Sequence, residues 1–543
     1  MPANLITRLL LGGMLAAALP AAPLWAQQQS AESALATARS AADAGRNAEA
    51  IAPYREALRQ AGEERPDWRL ELADQLTWAG DPGAAVTEYR QVIASGRPDL
   101  LKKAQTGLGR ALARSGAYAP AIAAFDAALA LDPADREAAS LRAQTLSWNN
   151  QQAKAEAAYR ALLKSDPSDQ RALLGLARVQ SWRGRQRAAL AMLARLPANP
   201  ADPDEALTIT AEAQQWMGRP DRAAATLRSR LAADPGNGRA AGLLARLERN
   251  NRHEARFDAR RFDQSDGLDV EQVNLSADYR FADGRGRIGP RLAYAAFDPF
   301  KGPGDVFTVT RIGASGGWRA SNSIDLNATV SLDRIDPPGQ GGAQQFLTYD
   351  AYVTLFPSDR WRFDLGVQRF LFDSEPTLRN RLVMDQVKAS ADFLPNERAR
   401  ISARAAYADY SDGNRQHWWQ AEAEQRISLN PRIHVGARYT GTKFRKVNQP
   451  GYFSPGEYHS AEATFRLDGQ AGQRTYYGLR ATAGGERDLG GADRFILSGA
   501  FYVRRQLSAA IDLEAAYDYT SSRAASSTGF TRGIARLSLI ARF

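Results

Sequence analysis

The second half of the sequence, from about Ala255 to Phe543, alternates apolar with polar residues over segments of about a dozen residues. A period of two predicts β-strands whose two faces meet different surroundings. One segment has its apolar residues at even positions and its polar residues at odd positions: Ile324, Leu326, Ala328, Val330 and Leu332 against Asp325, Asn327, Thr329, Ser331 and Asp333. The alternation therefore predicts a long series of strands that are polar on one face only.

Two sets of breaks separate these segments. The longer breaks are rich in Gly, Pro, Asp and Ser, and they begin at Asp263, Asp298, Asp336, Asp373, Ser411, Lys446, Gly484 and Ser521. Short turn signals lie between them, at Asp283-Gly284, Ser321-Asn322, Pro357-Ser358-Asp359, Pro395-Asn396, Asn430-Pro431, Asp468-Gly469 and Leu507-Ser508. Seven short turns alternating with eight longer loops make eight hairpins, which predicts sixteen antiparallel strands.

The polar faces are too highly charged for a dry core. Glu422, Glu424 and Arg426, for example, share one face of a single strand. Burying unpaired charges is costly, so the soluble alternative, a large array of β-sandwiches with apolar inner faces, does not fit the pattern. A wide transmembrane barrel does fit, because its polar face lines water and its apolar face meets lipid.

Aromatic residues add to the evidence for a membrane barrel. Several lie where strands meet the short turns, as the aromatic girdles at membrane interfaces require: Tyr279, Phe281, Trp318, Phe356, Trp361 and Phe393. The last predicted strand ends on Phe543, a terminal aromatic that resembles the assembly signal of bacterial outer-membrane barrels. Localisation in the bacterial outer membrane is therefore expected.

The first half has helical periodicity and an internal repeat of about 34 residues. Its turn positions are Gly45, Gly80, Gly116, Asn150, Gly184 and Gly218. Alanine follows five residues after each turn, and a bulky residue follows nine after it: Tyr54, Tyr89, Phe125, Tyr159, Leu193 and Leu227. This pattern resembles the tetratricopeptide repeat, which pairs two antiparallel helices per unit. The predicted fold is thus α + β and multidomain, with an α-solenoid of about six repeats over residues 30–250 and a 16-stranded antiparallel transmembrane barrel over residues 255–543.

Four repeats carry a tryptophan two residues before the turn: Trp78, Trp148, Trp182 and Trp216. One interpretation is packing at the end of the first helix. The other is a ligand-binding face, because an indole offers a flat apolar surface on which sugar rings or a peptide can stack.

Composition narrows the chemistry. The chain has no cysteine, which excludes disulfides and thiolate sites, and its net charge of +10 on 130 charged residues does not by itself indicate nucleic-acid binding. Residues 1–26 read as a signal peptide, with Arg8 before an apolar core and Ala26 at the expected cleavage site.

No catalytic or metal-binding motif stands out, and no cofactor is expected. The four histidines lack paired ligand spacing. Glu422 and Glu424, on one strand face, are a candidate acid/base pair for a glycosidic bond, with ordinary lumen lining as the alternative. The candidate lumen residues are Arg362, Arg404, Glu422, Glu424, Arg438, Arg466, Arg480 and Arg494.

A long loop signal begins at Gly451. Its residues Gly451, Tyr452, Phe453, Ser454, Pro455 and Tyr458 resemble a stretch in the barrels of the outer-membrane exporters that serve bacterial cellulose synthases. The repeats resemble the wider group of periplasmic-repeat-plus-barrel proteins, which includes the poly-N-acetylglucosamine porins and the YaiO-like barrels. The tyrosines and Phe453 are candidates for sugar stacking at the extracellular mouth, and a loop that braces or plugs the barrel is the alternative. Six repeats are fewer than the long arrays of the cellulose exporters, so the polymer stays open.

The resemblance implies export of an exopolysaccharide, cellulose-like or of amino sugars, through the barrel without covalent chemistry. Expected partners are the polysaccharide chain, outer-membrane lipid, and an inner-membrane synthase complex or periplasmic accessory proteins that dock on the repeats. Two other functions remain open. Surface-lipoprotein translocators also join such repeats to a barrel, typically of fourteen strands, and a blocked barrel would serve only for docking.

Overall fold

Helices fill the first half of the chain. The structure is a computed structural model that describes residues 24–543 except 62–63, 266, 299–305, 339–341, 372–374, 489–492 and 524–530. Six helical hairpins and a final helix extend to residue 250: α1 (Leu24–Asp43), α2 (Asn47–Gln60), α3 (Pro66–Ala79), α4 (Pro82–Ala94), α5 (Pro98–Arg114), α6 (Tyr118–Leu131), α7 (Arg136–Trp148), α8 (Gln152–Ser165), α9 (Gln170–Trp182), α10 (Gln186–Leu193), α11 (Pro203–Trp216), α12 (Pro220–Ala233) and α13 (Gly238–Asn250).

The repeat pattern explains how each hairpin turns and packs. All six predicted turn residues have positive φ, from 58° at Asn150 to 91° at Gly80, a backbone conformation that glycine and asparagine adopt most readily. The alanine five residues after each turn is buried in every hairpin. The bulky residue nine after the turn is also buried, except Leu193, which is half-buried. These observations confirm the predicted repeats.

Strands fill the second half and close into a barrel. They are β1 (Glu254–Gln264), β2 (Asp269–Phe281), β3 (Gly286–Asp298), β4 (Phe307–Arg319), β5 (Ile324–Asp336), β6 (Gln344–Leu355), β7 (Trp361–Leu371), β8 (Val383–Phe393), β9 (Ala399–Tyr410), β10 (Arg415–Leu429), β11 (Arg432–Phe444), β12 (Glu457–Ala471), β13 (Thr475–Asp488), β14 (Arg494–Gln506), β15 (Ile511–Thr520) and β16 (Arg532–Arg542). Each strand pairs antiparallel with the next, and β1 pairs with β16. The predicted count of sixteen is confirmed.

One predicted turn was wrong. Asp468 and Gly469 lie inside β12, and the chain reverses three residues later, where Gly472 has a φ of 62°. The ring of Tyr477 lies so close to Gly469 that a Cβ there would stand 2.4 Å from it. Gly469 is therefore needed for close packing, and the second glycine of the DGQAG sequence makes the turn.

The chain divides into two compact units, Met1–Val179 and Gln180–Phe543. The second unit contains helices α10–α13 together with the whole barrel. The domain limits inferred from the sequence, 1–26, 30–250 and 255–543, remain predictions. Residues 1–23 of the predicted signal peptide, and parts of the predicted loops at 298–305, 336–342 and 521–529, lie outside the described residues. Among the helices that are described, none is long and apolar enough to cross a membrane.

Candidate functional site

The barrel wall has two chemically different faces, as the alternation predicted. Large apolar side chains such as Ile312, Leu365 and Val387 point outward and are exposed. The opposite face lines the lumen with charged, amide and hydroxyl groups. Aromatic rings stack on the outer face beside the short turns, with Phe281 against Trp318 (ring centroids 5.8 Å apart) and Trp361 against Phe393 (4.5 Å). The outer surface is thus apolar with an aromatic girdle at this end.

Five of the eight predicted lumen residues are joined in ion pairs. The predicted lining residues pair as Arg362 with Asp364 (3.0 Å), Arg438 with Glu422 (3.3 Å) and Arg466 with Glu424 (3.8 Å). The other three predicted residues, Arg404, Arg480 and Arg494, are exposed and form no ion pair within the described part of the chain. Some lumen arginines are therefore paired with carboxylates of the wall, and others are open to solvent.

The pairing bears on the candidate acid/base role of Glu422 and Glu424. Glu422 faces Arg438, and Glu424 also lies 3.9 Å from Arg400. Both carboxylates are thus engaged by guanidinium groups of the wall and are not aimed as a pair at a substrate. The arrangement fits the alternative interpretation, in which both glutamates are lumen lining.

Charge neutralisation extends around the wall. The carboxylate of Glu514 contacts Arg504 (2.5 Å), Arg536 (3.2 Å) and Arg256 (3.2 Å) across neighbouring strands. Asp333, fully buried, pairs with Arg311 (2.5 Å) and accepts a hydrogen bond from Thr348 (2.9 Å). Such networks satisfy buried charges and fix the wall side chains in place.

The predicted mouth loop, residues 445–456 between β11 and β12, folds inward at the long-loop end of the barrel. Tyr452 is only 5% exposed and stacks on Tyr410 with ring centroids 5.0 Å apart. Its hydroxyl donates to Asp412 (2.8 Å) and accepts from Asn414 (2.8 Å). Burial raises the pKa of Tyr452, and Asp412 raises it further, so the phenol stays protonated and keeps donating.

The rest of the motif is also packed. Tyr458, at the start of β12, is 1% exposed and donates to Glu486 (2.9 Å), while Phe453 packs edge-on against it at 5.6 Å. Gly451 has a φ of 90°, and Ser454 accepts the backbone N–H groups of Asn448 and Gln449. Pro455 is buried beside them. In this conformation the two tyrosines have no open face for a sugar, and the contacts fit a loop that braces the barrel.

Two of the cavities on the inner wall adjoin one another. The first, of about 620 Å³, combines polar groups with Phe370, Met384, Phe444, Tyr452 and Phe453. The second, of about 510 Å³, contains Arg438, Glu462 and Arg480 among hydroxyl side chains. Trp418 of β10 lines both cavities. Both cavities therefore combine apolar and aromatic surface with polar groups.

Within the second unit, helix α10 is attached to the short-turn end of the barrel. Asp359, in the turn after β6, accepts the backbone N–H groups of Arg187 (3.1 Å) and Ala188 (3.3 Å), so a barrel residue caps the first turn of α10. The guanidinium of Arg187 donates to the carbonyl of Asn322 (3.0 Å) and to the hydroxyl of Ser323 (3.1 Å). One arginine therefore bridges a helix start and two short turns.

Four further contacts join residues 183–228 of the helical region to short turns at this end of the barrel. They are Arg183 with Glu397 (2.9 Å), Arg219 with Asn322 (2.8 Å), Arg228 with Asp283 (2.8 Å) and Arg319 with the carbonyl of Met217 (2.6 Å). Burial raises the pKa of Glu397, but a backbone hydrogen bond and Arg183 lower it overall, so this carboxylate is charged in the contact. We call this set, with Arg187 and Asp359, the rim contact.

Each repeat tryptophan is the last residue of its helix or the one before it. Trp78, Trp148, Trp182 and Trp216 are 48%, 42%, 41% and 54% exposed. The guanidinium of Arg114 lies 4.6 Å from the ring of Trp78, and Tyr118 packs 6.1 Å from Trp148. About half of each indole is open, which leaves a face for a ligand.

Trp418 was missed from the sequence. Strand alternation places Glu422, Glu424 and Arg426 on the lumen face of β10. The same rule puts Trp418 in the lumen, so the signal was present in the Trp-Trp pair.

No protein-family model and no curated protein matches the sequence. Among solved structures, a "Bacterial polysaccharide outer membrane secretin" is 15% identical, covering 54% of this chain and 99% of its own, with a TM-score of 0.43. A tetratricopeptide repeat protein from Parabacteroides merdae is 17% identical over 42% of this chain and 86% of its own (TM-score 0.35). PilW, a type IV pilus biogenesis factor, is 20% identical over 40% and 99% (TM-score 0.34). At these values the likenesses add nothing to the fold that the chain itself displays.

The elements of the chain settle its architecture without those likenesses. Helical hairpins with the tetratricopeptide pattern occupy the first half, and sixteen antiparallel strands close on themselves in the second. The chain therefore joins tetratricopeptide-type repeats to a closed sixteen-stranded β-barrel, the architecture of the repeat-plus-barrel export proteins that its sequence resembles.

Proposed function

We propose that this chain is an outer-membrane pore through which a bacterial exopolysaccharide, cellulose-like or of amino sugars, leaves the cell. The observation that carries the proposal is a closed barrel of sixteen strands whose apolar face points outward and whose inner face is mainly polar. Barrels of this size enclose an aqueous channel, and an outer apolar band flanked by aromatic girdles suits a lipid bilayer.

The charge pattern of the lumen suits a long polar chain. Most wall arginines, such as Arg438 and Arg466, are neutralised by carboxylates, so the wall does not present a large field of one sign. Hydroxyl, amide and guanidinium groups can exchange hydrogen bonds with a sugar chain as it displaces water. Many weak contacts of this kind let a chain advance without being trapped, and no covalent step is required.

We propose that the helical half of the chain lies in the periplasm. Short turns of outer-membrane barrels face the periplasm, and helices α10–α13 meet the barrel at that end through the rim contact. In this proposal the repeats receive the polymer or dock a synthase complex or periplasmic accessory proteins. The exposed faces of Trp78, Trp148, Trp182 and Trp216 are the surface that we assign to this contact. The synthase supplies the energy by pushing the chain.

Two other functions are less well supported. A surface-lipoprotein translocator typically has fourteen strands, whereas sixteen close this barrel. A docking protein with a blocked barrel would carry no current. Single-channel conductance of the full chain separates an open pore from a blocked one.

The proposal is tested in a strain that lacks this gene, grown beside its parent and a complemented strain under biofilm conditions. Sugar analysis of the medium and the periplasm is the readout. Polymer lost from the medium and retained in the periplasm supports an export pore, and its composition identifies the substrate. Unchanged polymer in both fractions, with surface lipoproteins reduced, would replace the proposal with the translocator.

A further inference from the structure

Trp418 occupies an unusual position on the lumen wall. It lies on β10, and its direct cross-strand partners are Ala406 on β9 and Thr442 on β11. Both partners are small, and Thr442 is itself buried. Neither neighbour is large enough to cover an indole completely, and Trp418 stays partly exposed on the lumen wall.

The other aromatic rings at this level are engaged with one another. Tyr452 stacks on Tyr410 and packs 6.1 Å from Phe444, and Phe453 packs on Tyr458. Trp418, in contrast, has no ring partner and no hydrogen bond to its indole N–H within the described part of the chain. Trp418 is half-buried, so part of its ring, with the N–H donor, is available to a ligand.

Polar groups stand next to this face. Arg404 on β9 pairs with Gln420, two residues along β10 from Trp418, which makes it a diagonal neighbour of the indole at about 7–8 Å between Cα atoms. Arg404 is exposed and lacks an ion pair, and its contact is a weak hydrogen bond of 3.4 Å to the Gln420 side chain. Gln420 in turn donates to Thr440 (3.2 Å). A planar guanidinium and an amide thus line the same cavities as the aromatic ring, one step along the strands from it.

This arrangement has the chemistry that a pyranose ring needs. The C–H groups on one face of the sugar pack on an aromatic plane, while hydroxyl or acetamido oxygens at its edge accept hydrogen bonds from N–H donors. A guanidinium offers several donors in a fixed plane, which suits neighbouring oxygens on one ring. Because Trp418 lines both lumen cavities, a polymer that occupies the two together must pass it.

We infer that Trp418, with Arg404 and Gln420 beside it on the wall, is a binding site for single pyranose rings of an uncharged polymer inside the lumen. The inference rests on the proposed export function and deepens it, because it names the sugar-binding residue and the class of sugar. The bound ring stacks on the indole and is oriented by the guanidinium, and the chain advances as successive rings replace one another there.

Ligand-observed saturation-transfer NMR on the full-length protein in detergent tests the inference, with cellohexaose and N-acetylchitohexaose as probes. Wild type should bind at least one hexasaccharide. W418A should weaken that binding about tenfold, whereas W418F, which keeps an aromatic face, should stay within about threefold of wild type. R404Q should weaken binding less than W418A does.

Trp419 provides the matched control, because it follows Trp418 directly but lies on the outer face, near His459. W419A should bind the hexasaccharides like wild type, and heat-modifiable mobility on gels shows that each variant barrel is folded. If W418A does not fold, W418L keeps an apolar side chain without a ring and should show the same loss as expected for W418A.

Two results would overturn the proposal that Trp418 binds sugar. One is that folded W418A or W418L binds the hexasaccharides as tightly as wild type does. The other is that wild type binds neither hexasaccharide. A uronic-acid hexamer that binds while both neutral probes fail would also reject the class of sugar. These outcomes are separate from the deletion strain, where polymer retained in the periplasm would still support export even if Trp418 has no part in it.

Discussion

Single side chains decide whether the mouth loop, residues 445–456, can bind sugar or instead braces the barrel. Tyr452 was a candidate for stacking on sugars, with a bracing role for its loop as the alternative. Its burial against Tyr410 and its hydrogen bonds to Asp412 and Asn414 make it an anchor for the loop. The effect of replacing Tyr452 is therefore expected to start with loosening of the loop.

Tyr452→Phe removes the hydroxyl but keeps the ring stack, and Tyr452→Ala removes both. We expect the phenylalanine variant to lose about 1–2 kcal/mol of local stability from two buried hydrogen bonds, and the alanine variant about 3–5 kcal/mol. Hydrogen exchange of residues 445–456 measures both losses. Tyr476→Phe, at an exposed tyrosine on β13, is the control and should exchange like wild type.

The same anchor gives the loop a dependence on pH. Because burial raises the pKa of Tyr452 in the fold, the contribution of the neutral phenol is complete below the unfolded value of about 10 and is lost as pH rises above it. Loop exchange in wild type should therefore accelerate above that pH more than in Tyr452→Phe. Equal acceleration in both proteins would show that Tyr452 does not anchor the loop.

Elements are more predictable than the contacts between their side chains. Turn residues at fixed offsets predicted six helical hairpins, and the period-two alternation predicted sixteen strands and their faces, because both depend on local sequence. The turn at Gly472 was misplaced because two glycines lie three residues apart and only packing against Tyr477 distinguishes them.

The candidate site was less predictable for a physical reason. Which arginines are neutralised depends on cross-strand register: Arg438 faces Glu422, while Arg480 faces Arg466 and Ala500. Strand alternation gives the face of a residue but not its neighbour on the next strand. The burial of Tyr452 likewise depends on a loop that folds back onto β9, and no local pattern encodes that.

The rim contact joins helices α10–α12 to the short turns of the barrel. Asp359→Ala removes the cap of α10 and should cost about 1–2 kcal/mol, whereas Asp359→Asn keeps a side-chain oxygen and should cost little. Faster hydrogen exchange of α10, with the strands of the barrel unchanged, is the expected result for Asp359→Ala. Arg249→Ala, at an exposed residue of α13, is the control.

Arg187→Ala should loosen α10 in the same way, since it removes the bonds to Asn322 and Ser323. Unchanged exchange of α10 in both Asp359→Ala and Arg187→Ala would mean that the rim contact does not hold the helices to the barrel. Reduced polymer release in the loosened variants would add that the contact helps deliver the chain to the pore.

The whole molecule combines a helical array with a channel in one chain, and the central claim is that the polymer travels through the lumen. The chain has no cysteine, so a single introduced cysteine is its only target for a thiol reagent. This makes the claim directly testable. Arg480 is exposed in the lumen, and Glu271 lies on the outer face of β2 with a side chain that is 74% exposed.

The most direct measurement is polymer release from living cells that carry Arg480→Cys, before and minutes after addition of a bulky maleimide. We predict that the reagent stops release from these cells while release continues from wild-type cells and from cells with Glu271→Cys. Complete labelling of Arg480→Cys with undiminished release would contradict passage through this lumen.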